Sequence, residues 1–304
     1  MSDTSSRPPH KHVYPPHKGH QGQMQWSSAS NTYTQKDYTI TQKNTASAII
    51  DTDFSSAYTI NNDYGYGSEV NVTLDDAYRY MDANGLPNHE TGLFPNSGNP
   101  HTIEEQDVWL IIPLETQFVN TAINARIPGV GINGIVFEPE TAEVVECNDS
   151  DWRIEAIQDY TNLGLDFNDA HVQPGGIYHY HGVPTALIDE VDNGKDLVHI
   201  GFASDGSFIY YSNNGTYTPS YQLKSGERSA SGTCTYRNKT VIVDNTDYDG
   251  TYVQDWQYVA GLGDLDACNG IEINGEYVYI ITDEYPYVPR CTLGLQNSTF
   301  SHAK

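Results

Sequence analysis

The sequence predicts a mainly β protein: a single large β-rich domain, sandwich- or barrel-like, with a few short helices and long loops. The 304-residue chain is rich in tyrosine (23 residues) and glycine (26 residues), which favour strands and turns respectively. Its apolar residues fall in short runs separated at irregular spacing by Gly, Pro, Asn and Asp. Few segments show the 3.6-residue period of a helix.

Three parts of the chain differ in composition. Residues 1–30 contain four prolines, four histidines and almost no apolar residues, so they are expected to be a disordered His/Pro-rich N-terminal tail. Residues 31–89 are expected to form a β-rich N-terminal extension packed on the main domain. The main domain is expected over residues 90–300. The tail histidines, which could bind a metal weakly, are His10, His12, His17 and His20.

The predicted elements follow from local patterns. Nine segments bounded by turn residues predict strands: 32–40, 47–54, 68–74, 108–114, 132–137, 197–204, 207–212, 240–245 and 276–282. Residues 75–83 (DDAYRYMDA) predict a short helix that ends at Asn84-Gly85. Apolar residues at positions 152, 154 and 157 predict a second helix over residues 151–160.

The charge of the chain limits its partners. There are 40 acidic and 15 basic residues, which gives a formal net charge of −25. No basic patch is present to release counterions, so nucleic acid is excluded as a partner. No apolar run approaches the roughly 18 residues that a membrane span needs. Divalent cations or a saline medium fit this charge better.

The four cysteines are Cys147, Cys234, Cys268 and Cys291. Their even number and wide spacing predict two disulfides, for which three pairings are open. Proximity in the sequence favours Cys147–Cys234 and Cys268–Cys291. Paired cysteines and an acidic, Tyr/Thr-rich composition favour a secreted or periplasmic location over the cytosol.

The segment PGGIYHYHGVP (174–184) is the strongest candidate for a metal site. On a strand over residues 177–181, His179 and His181 share one face, because successive side chains point to opposite faces. Two imidazoles at this spacing can chelate one ion. The nearby His171 is expected to be a third ligand, provided that its segment folds back onto this strand. His199 or Asp205 is expected to complete or orient the site.

The same histidines also fit two roles besides that of metal ligand. They could be hydrogen-bonded residues of the core or surface, without any ion. In an enzyme, such as a metal-dependent hydrolase or oxidase, Asp166, Asp169 or Asp205 could act as a general base beside them.

Two further features indicate additional ligands. Asn245, Asp247 and Asp249, with Gly250 in sixth place, match the first half of a calcium loop. Trp256 stands where that loop has its bidentate Glu, so an ordinary acidic turn is the alternative. The tyrosine-rich strands could form a glycan-stacking surface, although sheet packing accounts for them equally.

Several motifs together resemble the YHYH-domain proteins. They are GLFPNSGNP, INGIVFEPETAE, LGLDFNDAHVQPGGIYHYHGVPTAL, HIGFASDGSFIYY, LDACNG and YPYVPRC, and they extend over roughly residues 90–294. The resemblance implies a secreted or periplasmic β-rich domain and little about activity; the histidines of the signature are what indicate metal binding. The signature residues that it implies are His171, His179, His181, Asp205, Cys268 and Cys291. Where that family often has FDGFPIYG, this chain has SDGSFIYY.

We therefore expect a secreted protein that binds a divalent metal, copper or zinc, through its histidine cluster. Binding is expected to weaken below about pH 6, because an imidazole must be neutral to ligate a metal. The alternatives are a metal-dependent hydrolase or oxidase, and a metal-free cell-surface protein that binds glycan or another protein.

Overall fold

The computed structural model describes residues 54–62 and 66–301, together with the backbone of two short strands upstream. Its strands are β1 Gln25–Trp26, β2 Tyr33–Thr34, β3 Tyr58–Asn62, β4 Ser68–Leu74, β5 Tyr78–Ala83, β6 Val108–Pro113, β7 Phe118–Asn124, β8 Gly129–Gly131, β9 Val136–Phe137, β10 Val144–Glu146, β11 Asp151–Arg153, β12 Ala170–Gln173, β13 Ile177–Tyr180, β14 Leu197–Ala203, β15 Phe208–Ser212, β16 Tyr221–Leu223, β17 Cys234–Tyr236, β18 Lys239–Val241, β19 Trp256–Tyr258, β20 Gly270–Ile273, β21 Glu276–Ile281 and β22 Cys291–Gly294. The described helices are α1 Thr185–Val191 and the 3-10 helices Val253–Asp255 and Ser298–Ser301.

The strands form several open sheets. The largest has eight strands in the order β12-β13-β9-β8-β14-β15-β21-β20, with the β12–β13 pair at one edge. Two sheets have four strands each, in the orders β3-β4-β5-β6 and β11-β10-β17-β18. The remaining pairs are β1–β2, β16–β19 and β7–β22. The predicted mainly β class is confirmed, and within the described residues no sheet closes into a barrel.

One hydrophobic cluster joins the eight-stranded sheet to the β3–β6 sheet. It contains Met81 and Leu110 from the smaller sheet and Phe137, Tyr180 and Phe202 from the larger one, all 0% exposed. The β3–β6 sheet takes strands from both sides of residue 90. The side chains behind the histidine strand are therefore held in a core to which both halves of the described chain contribute.

The two predicted helices are wrong. Residues 78–83 form β5, in which buried and partly exposed side chains alternate. Its core face carries Arg79, whose guanidinium lies over the Phe202 ring at 4.1 Å from the centroid. The second predicted helix begins instead with β11, where Trp152 is buried and pairs with Val145 of β10. In contrast, helix α1 falls where no helix was predicted.

Most of the predicted strands that fall on described residues are confirmed. Those over 68–74, 108–114, 197–204, 207–212 and 276–282 correspond to β4, β6, β14, β15 and β21. The prediction over 132–137 is confirmed only for Val136–Phe137, and that over 240–245 only for its first two residues. The predicted tail and the strands over 32–40 and 47–54 lie outside the described residues, apart from β1, β2 and Phe54.

Both predicted disulfides are confirmed. Cys147–Cys234 links β17 to the residue after β10, beside the buried Trp152 and Val145. Cys268–Cys291 links β22 to the loop before β20. Among the helices that the structure describes, none is long and apolar enough to cross a membrane.

Candidate metal centre

The hairpin of β12 and β13 brings His171 back onto the YHYH strand. A turn over residues 174–176 joins the two strands, and Gly175 and Gly176 adopt φ values of 96° and 82°, which favour glycine. The register places His171 directly opposite His179. The predicted return of the His171 segment is thus achieved by the VQPGG sequence.

The two faces of this hairpin have different surroundings. Tyr178 and Tyr180 point into the hydrophobic core, where they are 1% and 0% exposed. His179 points to the opposite face, together with His171. His181 follows the end of β13, where its N–H donates to the Asp169 carbonyl at 2.7 Å. The three imidazoles therefore lie together on one side of the hairpin.

The three rings are in mutual contact. Their centroids are 4.7–4.8 Å apart, and each ring lies edge-on to the next. The Nε2 atoms of His171 and His181 are 3.1 Å apart, and one ligand nitrogen from each histidine lies within 4.8 Å of the others. An ion with tetrahedral bonds of about 2.0–2.1 Å needs ligand nitrogens about 3.4 Å apart. The 3.1 Å separation is just below this spacing, and the 4.8 Å limit of the cluster is above it.

Hydrogen bonds fix two of the imidazoles in the form that a metal requires. His171 Nδ1 lies 2.9 Å from the Leu163 carbonyl, and His179 Nδ1 lies 3.2 Å from the Ile177 carbonyl. A carbonyl oxygen can only accept, so each Nδ1 carries the proton and each Nε2 keeps its lone pair. This is the carbonyl-oriented arrangement typical of metal-ligating histidines.

His181 is the least satisfied of the three without an ion. Its Nε2 faces the lone pair of His171 Nε2, and its buried Nδ1 makes no hydrogen bond of good geometry, although the Glu138 backbone carbonyl is close enough to raise the pKa of His181. If Nε2–H donates to His171, the Nδ1 lone pair stays buried and unpaired. If Nδ1 carries the proton, two lone pairs face each other at 3.1 Å. An ion bound by both Nε2 atoms removes that repulsion, so the donor set fits a metal.

Burial keeps these imidazoles neutral. It lowers the pKa of His171 to about 4, an effect to which the neighbouring His179 adds. Burial also lowers the pKa of His179 to about 4. For His181, burial and then the two other histidines hold the pKa well below its usual value. Neutral imidazoles are the form that ligates copper and zinc.

The triad lines a cavity of about 690 Å³. Its walls also carry three arginines and three glutamates: Arg126, Arg153, Arg237, Glu138, Glu140 and Glu143. Among them, Arg153 and Glu140 form an ion pair at 3.2 Å. The three histidines line this cavity, so a molecule inside it can contact them.

A buried polar network supports the tyrosine face. The Tyr178 hydroxyl donates to Asp166 Oδ2 at 2.7 Å. The Tyr180 hydroxyl contacts His89 Nε2 and accepts a hydrogen bond from Asn133 at 2.9 Å. The role of His89 was not predicted from the sequence, because His89 is the only histidine of the GLPNHETG loop (85–92) and lies far in sequence from the YHYH strand.

His199 and Asp205 are not brought into the triad. His199 lies among aromatic rings; its Nδ1 accepts from Phe54 N–H at 3.2 Å, and its Nε2 lies 2.9 Å from the Gly201 carbonyl. Asp205 accepts hydrogen bonds from Ser207 N–H, the Tyr279 hydroxyl and Gly294 N–H at 2.7–3.0 Å. These contacts tie the turn after β14 to β21 and β22.

The predicted general bases are also engaged elsewhere. Asp166 accepts from Gly92 N–H and the Tyr178 hydroxyl on the tyrosine face. Asp169 accepts from Val183 N–H at 3.2 Å and lines a different cavity, of about 790 Å³. Neither residue lines the triad cavity.

The acidic turn around Asp249 is tied to an arginine. Asp249 forms an ion pair with Arg228 and accepts from Thr251 N–H at 2.9 Å. Asn245 has a φ of 56°, and Asp247 forms an isolated bridge with Glu227. The Arg228 guanidinium opposes a cation at the Asp249 carboxylate, and calcium binding here stays a prediction.

The tyrosines considered for glycan stacking are partly in the interior. Tyr279 is 0% and Tyr285 is 4% exposed, so sheet packing accounts for both. A glycan or cell-surface partner stays a prediction.

One family model matches the chain. The model of the family described as YHYH protein matches residues 111–294, more than half of the chain, and this range contains the whole triad. No curated protein and no solved structure matches the chain significantly.

Proposed function

The chain belongs to the YHYH protein family, and we propose that it is a secreted protein that binds a divalent transition metal, copper or zinc, through His171, His179 and His181. The observation that carries this proposal is the convergence of three neutral imidazoles, two of them with the proton fixed on Nδ1 by a carbonyl. The two disulfides support an oxidising compartment.

The chemistry of the donor set selects the class of ion. Three nitrogen ligands with no thiolate suit zinc and copper, whereas calcium and magnesium require oxygen ligands. When bound, such an ion would supply a Lewis-acidic centre at the wall of the cavity. The three histidines would hold the ion, and the Leu163 and Ile177 carbonyls orient two of them.

A metal-dependent hydrolase or oxidase is the second candidate. The cavity of about 690 Å³ over the triad favours it, because a structural site needs no space for a substrate. Such an enzyme would bind its substrate between the triad and the walls that carry Arg126 and Glu143.

The test is metal analysis of protein purified without an affinity tag. The four tail histidines are replaced by alanine in every variant, so that they cannot bind metal. We expect about one zinc or copper ion per chain in this background and almost none after His179→Ala/His181→Ala. His101→Ala is the matched control, because His101 lines the same cavity outside the triad. Equal metal contents in all three proteins would refute the proposal.

A further inference from the structure

A carboxylate shares the cavity with the three imidazoles. Glu138 follows β9, and its N–H donates to the Tyr180 carbonyl at 2.8 Å, which extends the parallel pairing of Phe137 with Tyr180. The Phe137 and Tyr180 rings meet in the core at 5.4 Å. Because successive side chains alternate in direction, Glu138 points to the opposite face, where it lines the triad cavity.

Glu138 is the most shielded of the carboxylates on this wall. It is 6% exposed, whereas the side chain of Glu140 is 48% exposed. Its Oε1 accepts a hydrogen bond from Gln173 Nε2 at 3.3 Å. Gln173 lies two residues after His171 on β12, and therefore on the same face of the hairpin. The hairpin thus orients the carboxylate as well as the imidazoles.

The charge balance of the site gives this carboxylate a role. Three neutral imidazoles carry no charge to balance the double positive charge of a bound ion, and two carboxylates of the cavity wall, Glu143 and Glu138, favour positive charge at His171. A nearby buried anion lowers the electrostatic free energy of that ion. Glu138 is outside the group of ligand atoms that lie within 4.8 Å of one another. Since Glu138 lines the same cavity as the triad, its carboxylate can contact a molecule that lies in the cavity against the ion.

We propose that Glu138 is the acidic partner of the metal site, where its carboxylate accepts a hydrogen bond from a molecule bound at the fourth position of the ion. Water fills this role, as does any small ligand that carries an O–H or N–H donor. Gln173 orients the carboxylate, and Glu138 is a positioning residue. This inference rests on the proposed function, because it requires an ion held by the triad.

The test is a zinc affinity series on the full chain without tail histidines, by competition with a chromophoric chelator near neutral pH. Glu138→Gln preserves shape and removes charge; we expect it to weaken zinc binding about ten- to a hundredfold. Glu138→Asp restores part of the affinity. Glu140→Gln makes the same chemical change at an exposed carboxylate and leaves the affinity within about twofold.

Two measurements separate this role from a structural one. Urea unfolding of the metal-free protein should show no loss of stability in Glu138→Gln, since the substitution removes a buried charge. The visible spectrum of the cobalt-substituted protein should keep its three-histidine pattern, because Glu138 is not a ligand. If Glu138→Gln does not fold, Gln173→Leu, which removes the hydrogen bond to Oε1 of Glu138, should weaken zinc binding in the same direction.

The outcomes are distinguishable. The role of Glu138 alone is overturned if zinc binding depends on the triad but the parent protein without tail histidines, Glu138→Gln and Glu140→Gln bind zinc with equal affinity. The proposed function, and this inference with it, is overturned if that parent protein binds no zinc or if His179→Ala/His181→Ala leaves its zinc binding unchanged.

Discussion

Zinc binding by the triad should be almost independent of pH between about pH 7 and 5. With ordinary pKa values near 6.5, proton competition at three imidazoles would weaken binding by about four orders of magnitude over this range. In the fold, burial lowers the pKa of His171 and His179 to about 4 and that of His181 well below its usual value. Near pH 5 each imidazole is then about one-tenth protonated or less, so competition costs less than about twofold. The weakening below about pH 6 expected from the sequence is thus revised.

The assay is a competition titration at several pH values with a chelator whose own proton affinities are known. Circular dichroism at each pH establishes that the protein is folded. His101→Ala serves as the control, because an ordinary histidine on the cavity wall should not alter the pH profile. A loss of affinity of about a thousandfold by pH 5 in folded protein would refute the reasoning, since it requires imidazoles with ordinary pKa values.

Two other predictions concern stability. The metal-free protein should lose stability as the pH falls from about 6.5 towards 4. In this range the histidines of the unfolded chain bind protons, whereas the buried triad and His89 stay neutral in the folded protein. Each of these four histidines lowers the free energy of unfolding by about 1.4 kcal/mol per pH unit. Three buried carboxyls oppose this loss against the four histidines, because burial raises the pKa of Asp166 to about 6, that of Asp169 to about 7 and that of Glu155 above its usual value; a gain in stability by urea unfolding near pH 5 would contradict the assignment. Tyr180→Phe should cost about 1–3 kcal/mol, because it leaves polar atoms of His89 and Asn133 without the hydroxyl that they contact. The zinc affinity of Tyr180→Phe should be unchanged. A loss of affinity as large as that in a triad variant would contradict the separation of the tyrosine face of the hairpin from its histidine face.

The triad was predictable because its geometry is local. Strand alternation places His179 and His181 on one side, and a three-residue turn with two glycines returns His171 to a position opposite His179. Glu138 was missed because its approach depends on the parallel pairing of Phe137 with Tyr180, 43 residues later in the chain, which no local pattern encodes. The available signal was strand alternation at the end of INGIVFE (132–138), which places Glu138 on the face opposite Phe137.

The wrong elements also have physical causes. In β5 the core face carries Arg79, so the strand lacks the alternation of apolar and polar residues that identifies a half-buried strand. The burial of Arg79 depends on the Phe202 ring of a distant strand. Trp152 of β11 and Ile154 just after it alternate as a strand requires, but Ile157 extends them into a pattern that also fits a helix.

The polar partners behind the YHYH strand have a consequence for how far the molecule can be shortened. His89 and the Gly92 N–H, which contact Tyr180 and Asp166, precede residue 111, where the family match begins. Strands β3, β4 and β5, which share the core with Tyr180, also precede it. A fragment cut at the family boundary would retain every imidazole of the triad while losing part of the support behind it. The smallest piece of the chain suitable for metal-binding measurements is therefore longer than the segment that the family match covers.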